Sequence, residues 1–531
     1  MKNRTIVTLG RRITQFGYGA ILGLVGLSVG VFMNHLDKKR QIRNQTIRLA
    51  ISGPWITLHP GLQHTLWADV VLSNQFEALV GINEKGIVSP LGASSWTISK
   101  DFKTFTFTID TKRKYSDGSS LKAVDYKLAW EEGLRLEPKS ANSSLLDVAS
   151  LLEGFETFSK SGVLSGVKVE GLGRLVLHFK RPFRLALTYL SGNRFAAFRQ
   201  TTDNTFIGTG RYTIQEQPNG KLLLNPNPWF IDPARYGEGG QQNILLSTVP
   251  NTEMEMALKN SEIDAIAYSF GALIPKNVLQ NSHYEIHPGP EAMHDVARIN
   301  GNKNSIFSNR THRIAFQYLL SKIIKDNQKR LGDPRLVGFD AQTFLPLQPG
   351  RLPQVEVDNL LSQGEAHIED LITQSHKQPL LIYFRSHNSW IADELKQTGI
   401  VLSPKSRVID STETMALCYK SDQYDAIFAP FSVSYGDPDG IYHALGKNGA
   451  ILCPVSYREP VGALLEEGRA IIGQEKLDAH YQNVSRSILQ EVPFVHLGFS
   501  KLVAITKKDR VEVGDMTLRR NDGHLDVYRL K

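Results

Sequence analysis

Apolar positions along the chain switch repeatedly between a period of two and a period of 3.6, which predicts mixed α/β architecture. KTFTFTID, Lys103 to Asp110, alternates cleanly and puts Phe105, Phe107 and Ile109 on one face of a strand. Ser116-Asp117-Gly118 then predicts a tight turn with positive φ at the glycine. Ala123, Tyr126, Trp130 and Leu134 follow at helical spacing, with Asp125 in the first turn, where a carboxylate favours the helix dipole. Strand, turn and docking helix read as one compact unit.

The same reading extends along the chain. QTIRLAIS predicts a strand and Asp69 to Val80 a helix. Gly208 and Gly210 bracket a turn, and Asn219-Gly220 predicts a two-residue hairpin between RYTIQEQ and KLLLN. A helix over Glu253 to Asn260, a buried strand over Asp264 to Tyr268 and a long helix over Thr311 to Leu331 come next. LLIYF, a helix from Ser389 to Thr398 and IVLSP make a strand–helix–strand unit. DAIFAPFSVS leads into the loop Tyr435 to Gly440, one helix covers Pro460 to Leu489, and Val495 to Thr506 closes as a strand.

Length changes the picture: 531 residues exceed one ordinary core, so two or three lobes are expected. Charge changes it again. The net +8 equals the excess of nine basic residues over Asp37 within residues 1–48, and the remainder balances. A nucleic-acid binder needs its cations on the folded surface, so that class is set aside. Between the basic flanks runs the uncharged stretch Gly17 to Met33, about 26 Å long as a helix. It reads as either an uncleaved membrane anchor or a secretory signal, and both put the body outside the cytoplasm. Cys418 and Cys453 are the only cysteines; one bridge or two buried thiols both fit.

Ordered landmarks carry a resemblance. Tyr115-Ser-Asp-Gly118, with Leu121, Ala123 and Asp125, is similar to F-S-D-G-x-x-L-x-A-x-D-V. Gly208-Thr209-Gly210, with Tyr212, is similar to G-T-G-P-Y, with Arg211 for proline. LKNSEIDAI resembles L-x-x-G-E-I-D, and FSNRTHRIAFQYLLSK resembles F-x-D-x-R-V-R-K-A-L-x-Y-A-I-D-R. Tyr435-Gly-Asp-Pro-Asp439 resembles an acidic Asp-Pro loop. In this order they resemble the extracytoplasmic solute-binding proteins of the peptide and nickel class, receptors of ABC importers.

The resemblance implies a type II periplasmic-binding-protein-like α/β fold, two lobes around a ligand cleft plus a smaller accessory domain. The expected division is an N-terminal segment 1–45, lobe I from 46–82, 205–292 and 494–531, an accessory domain 83–204, and lobe II 293–493. It implies a non-enzymatic monomer that holds a small, oligopeptide-like ligand and docks an ABC transporter permease, tethered or exported by its N-terminal segment. The expected cleft positions are Gly208, Thr209, Trp390, Ser432, Ser434, Tyr435 and Asp437, with Asp117 building a turn only. In peptide-binding relatives, an acid three residues before the acidic-Pro pair holds the ligand's amine. Ser434 stands there, and a hydroxyl cannot offset an ammonium charge. A tethered sensor with the same fold is the alternative reading.

Other chemistry is thin. His283 and His287 lie on a predicted strand running into a turn, about 13 Å apart, so no metal site is expected. His59 and His64 read as surface or packing residues. Gly440 to Lys447 misses phosphate-loop spacing, and neither a nucleophile elbow nor a zinc-protease motif occurs. No cofactor is expected.

Overall fold

The predicted strands sort into two main sheets, one of twelve strands and one of four, among the described residues. The computed structural model describes residues 46–531 except 56, 63–64, 83–86, 137–143, 203–204, 231–241, 332, 345–347, 419–422, 433–436, 446–457, 515–524 and 526–527. For 290–292, 411–412, 415, 418, 431–432, 443–444, 458–459 and 529 it describes the backbone alone. The hydrophobic leader, His64 and Cys453 lie outside these residues, and of Cys418 only the backbone is described.

Thr46–Ile51 pairs in parallel with Asn243–Thr248 and with Ala265–Phe270, the centre of lobe I. All six residues of Ala265–Phe270 are buried, as a near-continuous apolar run in a parallel sheet requires. In lobe II, Ile382–Phe384 pairs in parallel with Ala426–Phe428 and with Arg407–Val408. Two long antiparallel strands, Tyr284–Ile299 and Phe494–Lys507, join the halves into one sheet. Their register slips three times, between Pro288 and Glu291, Glu291 and Met293, and Asp295 and Val296. Such slips bend a ladder without ending it, so the expected turn after His287 is instead a bulged crossing.

The accessory domain has its own antiparallel sheet, Ala93–Ile98, Thr104–Ile109, Arg174–His178 and Val167–Glu170. Phe105, Phe107, Tyr126 and Trp130 fill its core, and Gly118 takes φ +84° while Asp117 accepts from the Ser119 N–H at 2.8 Å. The strand–turn–helix unit is scaffold.

Five elements differ from the sequence reading. The first helix is Leu66–Leu72, not Asp69 to Val80, because the carbonyls of Asn74 and Gln75 bond the N–H groups of Tyr212 and Gly210 instead of their own helix. The hairpin turns through three residues, Pro218-Asn219-Gly220: Gln217 bonds Lys221, and Gly220 takes φ +73°. The long helix Arg310–Asp326 is capped by Asn327, leaving Gln328–Leu331 as a separate turn. The last helix is two, Arg458–Gly468 and Gln474–Glu491, parted at Gly473 with φ +105°. IVLSP adds only an isolated bridge from Leu402 to Leu380, and Arg407–Val408 supplies the neighbouring strand.

Candidate functional site

In open α/β sheets the binding crevice lies beyond the carboxyl ends of the parallel strands. In lobe I those ends carry Gly53, on whose face Trp67 packs, and Phe270, whose ring meets Trp67 edge-on at 5.8 Å. In lobe II they carry the Arg385–Asn388 turn and the short strand Phe431–Ser432. The crossing strand brings the two together. Met293 packs in the lobe I core while its backbone pairs with Ser432. Two residues on, and so on the same face, Asp295 meets the His387 Nε2 at 3.1 Å. Both side chains are nearly buried, and the His387 Nδ1 has no hydrogen-bond partner among the described residues. Asp295 and His387 were missed in the sequence; only the His-Asn after the LLIYFR strand end hinted at them.

The remaining expected positions divide. Gly208 and Gly210 sit against the backbone of Asn74 and Gln75; a Cβ on Gly208 would lie 2.0 Å from the Gln75 oxygen. The Gly208 carbonyl accepts from the Ser116 N–H at 3.2 Å, which seams lobe I to the accessory turn. Thr209 is buried beside them, its hydroxyl without a hydrogen-bond partner among the described residues. Trp390 packs on the lobe II core under the Arg330 guanidinium, 4.5 Å from its ring centroid. Ser434 and Tyr435 lie outside the described residues.

Asp437 faces the accessory domain. Its carboxylate accepts both Arg184 guanidinium nitrogens, at 2.7 and 3.1 Å, and also the Asp439 N–H at 2.9 Å. Arg184 further donates to the Gly468 carbonyl at 3.2 Å. Beside it Asp439 accepts from Tyr189 at 2.7 Å and from the Arg469 Nε at 3.0 Å. Arg469, its side chain 2% exposed, reaches on to Asp147 at 2.7 Å and lies 3.3 Å over the Tyr442 ring. Burial alone would lower the Arg469 pKa; the charges of Asp439 and Asp147 outweigh it and raise it well above the usual value. The break between the last two helices is what puts Arg469 there.

His59 packs edge-on against Phe198 and Phe206, and His287 bonds Thr506 at 3.0 Å. No group of three metal-ligating side chains occurs among the described residues.

Two lobes sharing one sheet through a paired crossing, with a third domain folded against the second lobe, define a type II binding-protein clamshell. A sequence profile of "Bacterial extracellular solute-binding proteins, family 5 Middle" matches residues 88–322. Over that segment the chain is similar to the family 5 solute-binding proteins. It is 35% identical over 288 residues to the oligopeptide-binding protein OppA of Bacillus subtilis, covering 51% of each chain. The matched segment thus spans about half of that relative. A periplasmic oligopeptide-binding protein of Borrelia burgdorferi superposes with TM-score 0.74 at 16% identity, over 92% of this chain and 100% of the other. The murein tripeptide binding protein MppA of Escherichia coli gives 0.72, covering 92% and 99% at 16% identity. The unliganded open form of MppA gives 0.63, again at 16% identity, over 92% and 97%.

Proposed function

We propose that this chain is an extracytoplasmic receptor that captures a small, oligopeptide-like ligand between its lobes, without chemistry, and delivers it to an ABC importer. The observation that carries the reading is the bulged two-strand crossing with the nearly buried Asp295–His387 pair joining it to lobe II. A hinge of continuous backbone lets lobes swing while ligand contacts become interlobe contacts, which is how closure reports occupancy. The domain division at 46–82, 205–292 and 494–531, then 83–204, then 293–493 follows the separate cores except at its edges: Ala68, Leu72, Phe76, Leu79 and Val80 pack with the accessory domain, Phe494, Val495 and Leu497 with lobe II, and Met293, Leu336 and Val337 with lobe I.

Ligand contacts in this reading are Met293, Ser432 and the carboxylate of Asp295, oriented by His387. Asp295 supplies the negative charge that Ser434 lacks. Gly208, Thr209 and Asp437 then support the site, and the N-terminal hydrophobic stretch exports or tethers the body. Among the described residues no helix is long and apolar enough to cross a membrane.

Native mass spectrometry of protein purified from its own envelope should find a retained small molecule. Titration with a peptide and metal-chelate library should give saturable binding, weakened about tenfold or more by Asp295→Asn. A library that leaves the protein unbound, or binding indifferent to Asp295→Asn, removes the reading or its site respectively.

A further inference from the structure

The accessory domain and lobe II belong to different sheets, and hydrogen bonds between side chains, with one to a main-chain carbonyl, hold them together. Tyr189 and the neighbours of Asp147, namely Leu145 and Val148, are rooted in the accessory core. Tyr442, Tyr481 and Leu465 are rooted in a lobe II core. Between them stand interlocked contacts, among them Arg184 on Asp437, Arg469 on Asp147 and on the Tyr189 hydroxyl, Tyr189 on Asp439, and Arg181 on Glu466 at 2.5 Å. Arg184 also lies near the Tyr481 hydroxyl, at 3.4 Å.

We infer that this cluster is a latch: Arg184 and Arg469 are positioning residues that set the ratio of closed to open protein. The inference rests on the receptor reading but concerns closure, not what is captured. Three observations support it. The partners stand 253 and 322 positions apart in sequence, so the bonds report domain placement and not local folding. Arg184 meets Asp437 two-pronged, a geometry that a small rotation of lobe II would break. Arg469 and Asp147 are 2% and 8% exposed and the Arg469–Asp439 pair stays within lobe II, so opening would expose Asp147 and that pair to water together. A cluster of that kind has two states and little between them.

The consequence for binding follows by linkage. Apparent affinity scales with the fraction of protein in the competent form, so residues that never touch ligand would tune its dissociation constant. Asp437 and Asp439 sit at the end of the Asp-Pro loop, which Arg184 and Tyr189 of the accessory domain hold together with Gln348 and Arg469 of lobe II.

Hydrogen–deuterium exchange on the full-length chain tests the latch without needing a ligand. Arg184→Ala and Asp147→Asn should each speed exchange in peptides spanning Phe183 to Tyr189 and Pro438 to Ile441 by roughly tenfold, about one charge-assisted bond's worth. Arg184→Lys, which keeps the charge and loses the fork, should fall between wild type and Arg184→Ala. Exchange in the core strands Thr104–Ile109 and Ala426–Phe428 should stay unchanged, which a general loss of stability would not allow. Unchanged exchange at the two interface peptides in both Arg184→Ala and Asp147→Asn overturns the latch. So does faster exchange that spreads equally through both core strands. A failed ligand search bears on the receptor reading and leaves this measurement as it stands.

Discussion

Lobe II meets the rest of the molecule at two junctions built from opposite materials. Toward lobe I the junction is a backbone ladder that runs on from lobe I, twelve residue pairs between Tyr284–Ile299 and Phe494–Lys507 in all, with Met293, Leu336 and Val337 packed into lobe I cores beside it. Toward the accessory domain it is charge, centred on Arg469 and Arg184. Ladder hydrogen bonds persist through bending, whereas a set of ion pairs is either made or exposed to water. The difference teaches where the molecule flexes and where it parts. A perturbation of the first junction should therefore cost stability, and one of the second should cost closure.

The largest effect is expected at Gly498. It takes φ +147°, and a Cβ there would sit 2.1 Å from the Gly338 carbonyl oxygen, in the strand that pairs with Phe499 and Ser500. Gly498→Val adds both backbone strain and a clash that flexible atoms cannot relieve, about 3–5 kcal/mol together. Urea unfolding should show that loss. Wild-type stability in this variant would mean that the crossing is looser than its register implies.

Asp264 offers an ion cluster inside one lobe as a control. It is fully buried, bonded by Arg48 at 2.5 Å and also by Arg510. Burial raises its pKa, but the hydrogen bonds and charge of Arg48 more than reverse this and leave it below the ordinary value. Its contribution is then complete above the usual carboxylate range and vanishes as pH falls through the depressed folded value. Asp264→Asn should cost about 3 kcal/mol at neutral pH without faster exchange at the latch peptides. Faster exchange there would erase the distinction between clusters within and between domains.

His496 sharpens the first junction from inside. It is fully buried in the crossing strand between the rings of Phe494 and His294, and burial pushes its pKa down to about 3. The unfolded value is about 6.5. Between the two, the unfolded chain takes up a proton that the folded one refuses, so stability is full above about pH 6.5 and falls as pH drops toward 3. At pH 4.5 the loss is about 2–3 kcal/mol, and His496→Phe should remove it. Parallel stability–pH curves for wild type and variant would show that His496 is not the group responsible.

Much of the fold was legible because periodicity and turn chemistry are local. Phe105, Phe107 and Ile109 alternate into one core, and Gly118 turns where Asp117-Gly118 predicted. Misreadings arose where a distant partner took over a local group. Asn74 and Gln75 continue a helical pattern, yet their carbonyls go to Tyr212 and Gly210, more than a hundred residues on. Gly208, an expected cleft position, also has a close backbone approach to Gln75 that the turn pattern did not reveal. Arg469 was unreadable: a charged residue inside an apparent helix looks solvated until Asp147, Asp439 and Tyr442 are brought around it. The Asp295–His387 pair was hidden for the same reason, being 92 positions apart.

The smallest effect marks the edge of the second junction. Arg181 and Glu466 form the same kind of pair as Arg184 and Asp437, but their side chains are 43% and 21% exposed, against 13% and 18%. Water already solvates Arg181 in the closed form, so opening changes its surroundings little. Glu466 keeps a second partner on its own lobe, the Tyr442 hydroxyl, and is not stranded when Arg181 is removed. Ion pairs so placed are worth about 0–1 kcal/mol and are screened by salt. Arg181→Ala should thus speed exchange at the latch peptides by no more than about fivefold in dilute buffer, and by less in molar salt. An effect as large as that of Arg184→Ala would move the energetic centre of the latch from its buried arginines to its rim.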